Sequence, residues 1–201
     1  MTNFSRRSFL STAATGCLAG TTSLCALPSF AASVNQFPAS LQVQGVPLRL
    51  NGTGTRYKTI FKVYDMALYT AQKVSTSEEA LRLTGPVRLS FVALRELPGT
   101  DLGRLFIRGL SDNSPKDVVN RHTLSSNRLV EIFSGKSKLL PGDSFAMEYQ
   151  PSKGIQFFIS EQSQGAPVGD LEFFRAVLKI WLGQDPADFM LKDALLGIAK
   201  S

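Results

Sequence analysis

Cysteine is scarce in this chain, and both copies, Cys17 and Cys25, fall within the first 31 residues. Once those residues are removed, no disulfide can form and no thiolate is left for catalysis or metal binding. Histidine occurs once, as His122, and no His-x-x-x-His or Cys-x-x-Cys spacing exists, which argues against a metalloenzyme. There is no nucleophile elbow, phosphate loop or dinucleotide fingerprint, and Ser125-Ser126 has no base at a recognisable spacing. No cofactor is expected. Beyond the N-terminal region no apolar run approaches transmembrane length, and no repeat or Pro/Gly-rich linker divides the chain. The formal charge of +6 falls to +4 without Arg6 and Arg7, and the remaining basic residues are interspersed with acidic ones, so nucleic acid is not an expected partner.

What is present begins with Ser5-Arg6-Arg7-Ser8-Phe9-Leu10, a twin-arginine export pattern. An apolar run rich in Ala, Gly, Thr and Ser follows to Leu27, then Pro28 and the small residues Ser29 and Ala31. The expectation is a signal peptide over 1–31, a domain over 32–201, a periplasmic location, and membrane contact only during export. Roughly 170 residues can bury about 70% of their unfolded surface, enough for one domain with a sizeable core.

The first half reads mainly as strand: Leu41 and Val43 alternate with glutamines, Val46 to Leu50 leads into a glycine turn, and Tyr57 to Tyr69 is rich in aromatic and β-branched residues. Thr76-Ser77-Glu78-Glu79 forms a capping-box pattern for a short helix, and Val87 to Leu94 returns to strand. Leu102, Leu105, Phe106 and Leu110 then fall at helical spacing, with further helices expected at Val118-Val119 and at Leu129, Ile132 and Phe133. A hairpin carries Phe145, Met147 and Tyr149 against Ile155, Phe157 and Ile159. Helices follow from Asp170 to Leu182 and from an Asp185-Pro186 cap to Gly197. This order predicts an α+β fold, a mainly antiparallel sheet with helices packed on one face. Asp65, Glu78, Glu79, Asp185 and Asp188 read as capping or solvated carboxylates, and His122 as an exposed loop or helix-end residue.

The densest motif is Leu50 to Thr70, LNGTGTRYKTIFKVYDMALYT. Gly52 and Gly54 mark positions where φ is positive or the backbone passes close to a neighbour. Arg56 presents a fork of donors suited to an oxyanion or carboxylate. This segment resembles the active-site segment of the chalcone isomerase family, and Phe174 to Gly183, followed by Asp185-Pro186, resembles its late helices. The resemblance covers most of Leu41 to Leu196 and implies an open-faced sandwich with its ligand between sheet and helices.

Carried over residue by residue, the resemblance keeps the arginine as Arg56 and a hydroxyl as Tyr64, where the family has threonine. Three polar contacts of the plant enzymes fall instead on Leu102, Gly109 and Phe174. That pattern resembles the fatty-acid-binding relatives, in which an arginine and a tyrosine hold a carboxylate above an apolar cleft. It implies Arg56 and Tyr64 as clamp, with Leu102, Leu105, Phe106, Leu110, Phe174 and Val177 as lining. The expected partner is thus a small amphipathic or hydrophobic ligand. Two other readings stand beside it: an intramolecular lyase using Arg56 and Tyr64 as catalytic residues on an unsaturated carbonyl compound, and a non-catalytic partner or assembly protein. Eight residues of one extended strand would span about 26 Å, so a clamp demands a turn near Lys58 to Ile60, where no glycine or proline stands.

Overall fold

The computed structural model describes residues 37–198, so the twin-arginine pattern and the cleavage site lie outside the described residues. Strand β1 (Ser40–Val43) turns through Gln44 and Gly45, both at positive φ, into β2 (Val46–Lys58). The expected glycine turn does not exist: β2 runs unbroken through Gly52 and Gly54, with a register shift at Leu50/Gly52, and neither glycine has positive φ. Their purpose is close approach. A β-carbon on Gly52 would collide with the carbonyl oxygens of Ala194 and Leu195, and one on Gly54 with the Ala194 side chain.

The turn falls instead at Thr59 and Ile60, joining β2 to β3 (Phe61–Thr70). Thr59 holds a φ of 60°, a conformation that β-branched residues rarely adopt. Helix α1 (Ser77–Arg82) has the expected capping box, Thr76 and Glu79 each satisfying the other's backbone N–H. Strand β4 (Val87–Ala93) and the short β5 (Leu97–Pro98) lead into α2 (Gly99–Asn113), α3 (Lys116–Arg121) and α4 (Thr123–Ser134). Strand β6 (Lys138–Leu139) pairs with β5, and the hairpin of β7 (Ser144–Gln150) and β8 (Gly154–Ile159) ends in β9 (Gln162–Ser163). Helices α5 (Leu171–Leu182) and α6 (Phe189–Leu195) complete the chain; α6 is capped by Asp188, not by the expected Asp185.

Seven strands form one antiparallel sheet in the order β1-β2-β3-β4-β7-β8-β9. Its inner face carries Met66, Leu68, Leu89, Phe91, Met147 and Phe157, which belong to the same buried core as Phe173, Val177, Leu178 and Trp181 of α5. Eight of the twelve α5 residues are buried, so this helix, rather than its capping, sets where the helical layer lies. Each large apolar side chain fully removed from water contributes roughly 1.5–3 kcal/mol. The other face holds a small cluster of Val43, Leu48, Ala67 and Tyr69, together with the ion pair of cross-strand partners Arg88 and Glu148 at 2.5 Å.

Asn51 fastens α6 to the sheet. Its side-chain amide donates to the carbonyl oxygens of Val74 and Leu195 at 2.9 and 2.8 Å and accepts from the Val74 N–H, so this buried polar group is fully used. Two polar residues differ from expectation. Asp65 is buried and accepts from Thr55 Oγ1 at 2.6 Å. His122 is buried against Phe173, its Nε2 lying 3.0 Å from Glu172 Oε2, because α3 and α4 meet the start of α5 there. No helix among the described residues is long and apolar enough to cross a membrane.

Candidate functional site

The hairpin at Thr59 and Ile60 makes Arg56 and Tyr64 cross-strand partners. Folding back removes the distance that one extended strand would impose, and the Arg56 guanidinium carbon sits 5.5 Å from the centre of the Tyr64 ring. A register shift between Arg56 and Tyr57 ends the regular ladder at this point, and the Tyr57 N–H goes to the Asp188 carboxylate at 2.8 Å. The other Asp188 oxygen caps α6 through the N–H groups of Met190 and Leu191. One side chain therefore fixes the start of α6 beside the strand that bears Arg56.

Tyr64 is buried among aromatic neighbours. Phe91 and Phe145 meet its ring edge-on at 5.4 and 6.3 Å, and those two phenylalanines stack on each other at 4.2 Å. The Tyr64 hydroxyl accepts a 2.7 Å hydrogen bond from Trp181 Nε1. Burial raises the phenol above its ordinary pKa of 10, although the Arg56 charge and the Trp181 hydrogen bond act in the opposite direction. The group is thus a neutral hydroxyl at ordinary pH. Arg56 Nε is buried without a hydrogen-bond partner among the described residues, and no described carboxylate forms an ion pair with the guanidinium.

Both residues line a cavity of about 450 Å³ between the sheet and helices α2, α4 and α5. Phe145 and Met147 contribute from the sheet, Leu102, Leu105 and Phe106 from α2, Phe133 from α4, and Ile180 from α5. Lys58, Arg108 and Asp112 add charge, with Arg108 and Asp112 paired at 3.4 Å. The volume lies within the range of roughly 300–1,000 Å³ usual for small-molecule sites. The arrangement sets the half-buried Arg56 and one neutral hydroxyl beside the apolar side chains of the sheet and helices, with further charged groups on the same wall, and is suited to holding an anionic or carbonyl oxygen with a hydrocarbon body.

The expected lining separates into two groups. Leu102, Leu105 and Phe106 face the cavity with Arg56 and Tyr64. Phe174, Leu110 and Val177 do not line it. Phe174 is fully buried and stacked on Tyr149 at 4.7 Å: it shares a helix face with Trp181 but stands two turns earlier on α5, at the far end of the sheet from the cavity. Sequence reasoning missed Trp181, the single tryptophan, which lines the cavity from the last turn of α5. It also missed Phe133 on α4 and Phe145 and Met147 on β7, whose helical spacing and alternation read equally well as plain core. Gly109 lines the cavity because α2 passes tightly against α5 there: a β-carbon would stand 2.8 Å from Ile180 Cγ2. Among the described residues no group of three or more His, Cys, Asp or Glu side chains is placed to hold a metal ion.

The model of the chalcone isomerase-like family matches residues 31–197. Among solved structures, the fold is similar to that of a fatty-acid-binding protein of Arabidopsis thaliana, with a TM-score of 0.59 and 15% sequence identity over 80% of this chain and 90% of that one. No curated protein matches the chain in sequence. A likeness at that identity speaks for the fold: an antiparallel sheet curled around helices in an open-faced sandwich.

Proposed function

The chain belongs to the chalcone isomerase-like family, and from that premise we propose that it binds a fatty acid or similar amphipathic carboxylate in the cavity between sheet and helices. The observation that carries this reading is the pairing of Arg56 with Tyr64 at the wall of a cavity that Leu102, Leu105, Phe106, Phe133, Phe145 and Met147 also line. Arg56 supplies the charge, and its buried Nε has donor capacity to spare. Tyr64 receives the indole N–H and lies in the field of the guanidinium, so its hydroxyl proton is left to donate to an acceptor. The apolar side chains of α2 and the sheet suit the hydrocarbon part. The similar plant protein is itself described as binding fatty acid, which agrees with this reading.

A lyase would need groups that steer and activate a phenolate nucleophile as well as an electrophile. Leu102 brings no hydrogen-bonding group, and Gly109 leaves no room for a side chain beside Ile180. These two positions favour binding over turnover. The test is the affinity of palmitic acid for the wild type, Arg56→Ala and Tyr64→Phe, with cyclisation of a 2′-hydroxychalcone assayed in parallel. Loss of a charge-assisted contact costs roughly 1.5–3 kcal/mol, so Arg56→Ala should weaken binding about 10-fold to 150-fold, and Tyr64→Phe less. Robust cyclisation that Arg56→Ala abolishes would establish the lyase instead. Neither binding nor turnover would put a partner protein first.

The same proposal includes export by the twin-arginine route with removal of residues 1–31, supported by the order of arginine pair, apolar run and small residues. Arg6→Lys with Arg7→Lys should leave the chain in the cytoplasm and uncleaved. Export undiminished by that double change would remove the route.

A further inference from the structure

We infer that the hairpin between β2 and β3 is an anchor that docks the cavity entrance onto an anionic lipid bilayer. A two-residue hairpin loop ordinarily takes Gly, Asn or Asp. Here the sequence from Lys58 to Lys62 is Lys-Thr-Ile-Phe-Lys, with Ile60 79% and Phe61 61% exposed. Large apolar side chains scattered singly on a surface are ordinary, but two in succession at the tip of a projecting turn gain nothing there from the fold. Phe189, 63% exposed, begins the helix whose cap Asp188 is bonded to the Tyr57 N–H, so a third aromatic or aliphatic group stands on the element held against the base of this hairpin.

Charge identifies the partner. Lys58 and Lys62 flank the apolar pair, and Arg95 shares with Lys58 a cleft that continues from the cavity past Leu102 and Leu105. None of these three cations forms an ion pair with a described residue. Of the acidic groups nearby, Asp101 is engaged with Arg104, Asp112 with Arg108, Glu96 with Lys138, and Asp188 with backbone N–H groups, which leaves Asp185 at the cavity wall against the three cations. The surplus at the tip is therefore positive around an apolar centre, the pattern of an interfacial anchor on anionic lipid. Because Lys58 and Leu105 belong to the cavity wall, a tip seated among headgroups would bring the entrance to the acyl-chain boundary. An amphipathic ligand would then pass between bilayer and cavity with little exposure to water. The docking itself does not depend on which ligand the cavity takes.

The test uses the chain from Ala32 onward, which retains every residue of the described fold and lacks the apolar N-terminal run. Co-sedimentation is measured with vesicles of phosphatidylcholine alone and of phosphatidylcholine mixed with phosphatidylglycerol, for the wild type, Phe61→Ser, Ile60→Ser and Lys62→Gln. The wild type should partition onto the mixed vesicles, less so in high salt. Phe61→Ser should lower partitioning about 10-fold or more and Lys62→Gln about 5-fold. Palmitic acid affinity in the absence of vesicles should be unchanged in Phe61→Ser, whose side chain lies outside the cavity wall. Equal partitioning of wild type and tip variants, or no preference for the anionic vesicles, would overturn the inference. So would a wild-type dimer that Phe61→Ser converts to monomer, since the tip would then be covered by a second copy. Loss of palmitic acid binding with vesicle partitioning intact would instead count against the carboxylate reading alone.

Discussion

Trp181 Nε1 donates a 2.7 Å hydrogen bond to the hydroxyl of Tyr64, joining the last turn of α5 to the third strand of the sheet across 117 residues of chain. The bond satisfies the one polar atom of a buried indole and at the same time sets the Tyr64 hydroxyl at the cavity wall. Stability and site geometry are therefore coupled in one contact. Burial keeps the phenol protonated.

Tyr64→Phe should destabilise the fold by about 1–3 kcal/mol, because the indole N–H is left buried without an acceptor. Trp181→Phe should cost a comparable amount through lost packing and the smaller ring. Denaturant unfolding of both variants and the double variant gives the coupling, expected at about 0.5–1.5 kcal/mol. Additive effects within experimental scatter would mean that the hydrogen bond contributes nothing of its own.

The strands and helices were legible where periodicity was strong: Val87, Leu89, Phe91 and Ala93 alternate as a half-buried strand must, and Thr76 with Glu79 announced α1. The Arg56–Tyr64 pair was legible as residue types, and the turn near Lys58 to Ile60 only as something their meeting would require. Thr59 and Ile60 carry none of the usual turn chemistry, so only the pairing of long strands forces the chain back there. Gly52 and Gly54 suggested a turn because the sequence alone does not reveal that α6 packs across them. Phe174 and Phe106 look equally fit for a cavity wall; which of them reaches it is decided by where each helix lies along the sheet, a tertiary property. The burial of His122 and Asp65 was hidden for the same reason, since it depends on partners 50 and 10 residues away, although His122 does stand at a helix end, between α3 and α4.

Gly52→Ala should separate α6 from β2. The added methyl would meet backbone carbonyl oxygens of Ala194 and Leu195, which no rotamer change can move aside. Overpacking of this kind costs about 1–3 kcal/mol. Because Asn51 donates to the Leu195 carbonyl next door, displacement of α6 would strain that hydrogen bond too. Urea unfolding should show a lowered midpoint, whereas Gly85→Ala, at a site with open space, serves as the comparison that tests whether the helix contact is responsible.

Glu172 ties the start of α5 to α3 and α4. Arg121 first, and His122 second, hold its carboxyl down at about 2, against an ordinary value of 4.5. A depressed pKa means that the folded state prefers the ionised form. The resulting stability is present above about pH 4.5 and is lost as pH falls through about 2. The group is exposed, so salt should weaken the effect. Thermal midpoints measured across this window should fall more steeply for the wild type than for Glu172→Gln. Parallel curves for the two proteins would show that the contacts to Arg121 and His122 do not contribute.

Thr59→Gly should stabilise the protein, an unusual direction for a change to glycine. Thr59 holds a φ of 60°, where its branched Cβ crowds the following carbonyl at a cost of roughly 1–2 kcal/mol. Glycine removes that cost but gives the unfolded chain more freedom, worth roughly 0.5–1 kcal/mol in the opposite direction. The net gain should therefore be up to about 1.5 kcal/mol, seen as a higher urea midpoint with an unchanged slope. Thr59 is exposed, so loss of packing should not obscure the result. A lowered midpoint would mean that the threonine side chain stabilises the turn, and that the hairpin placing Arg56 opposite Tyr64 is held by Thr59 rather than by the pairing of its strands.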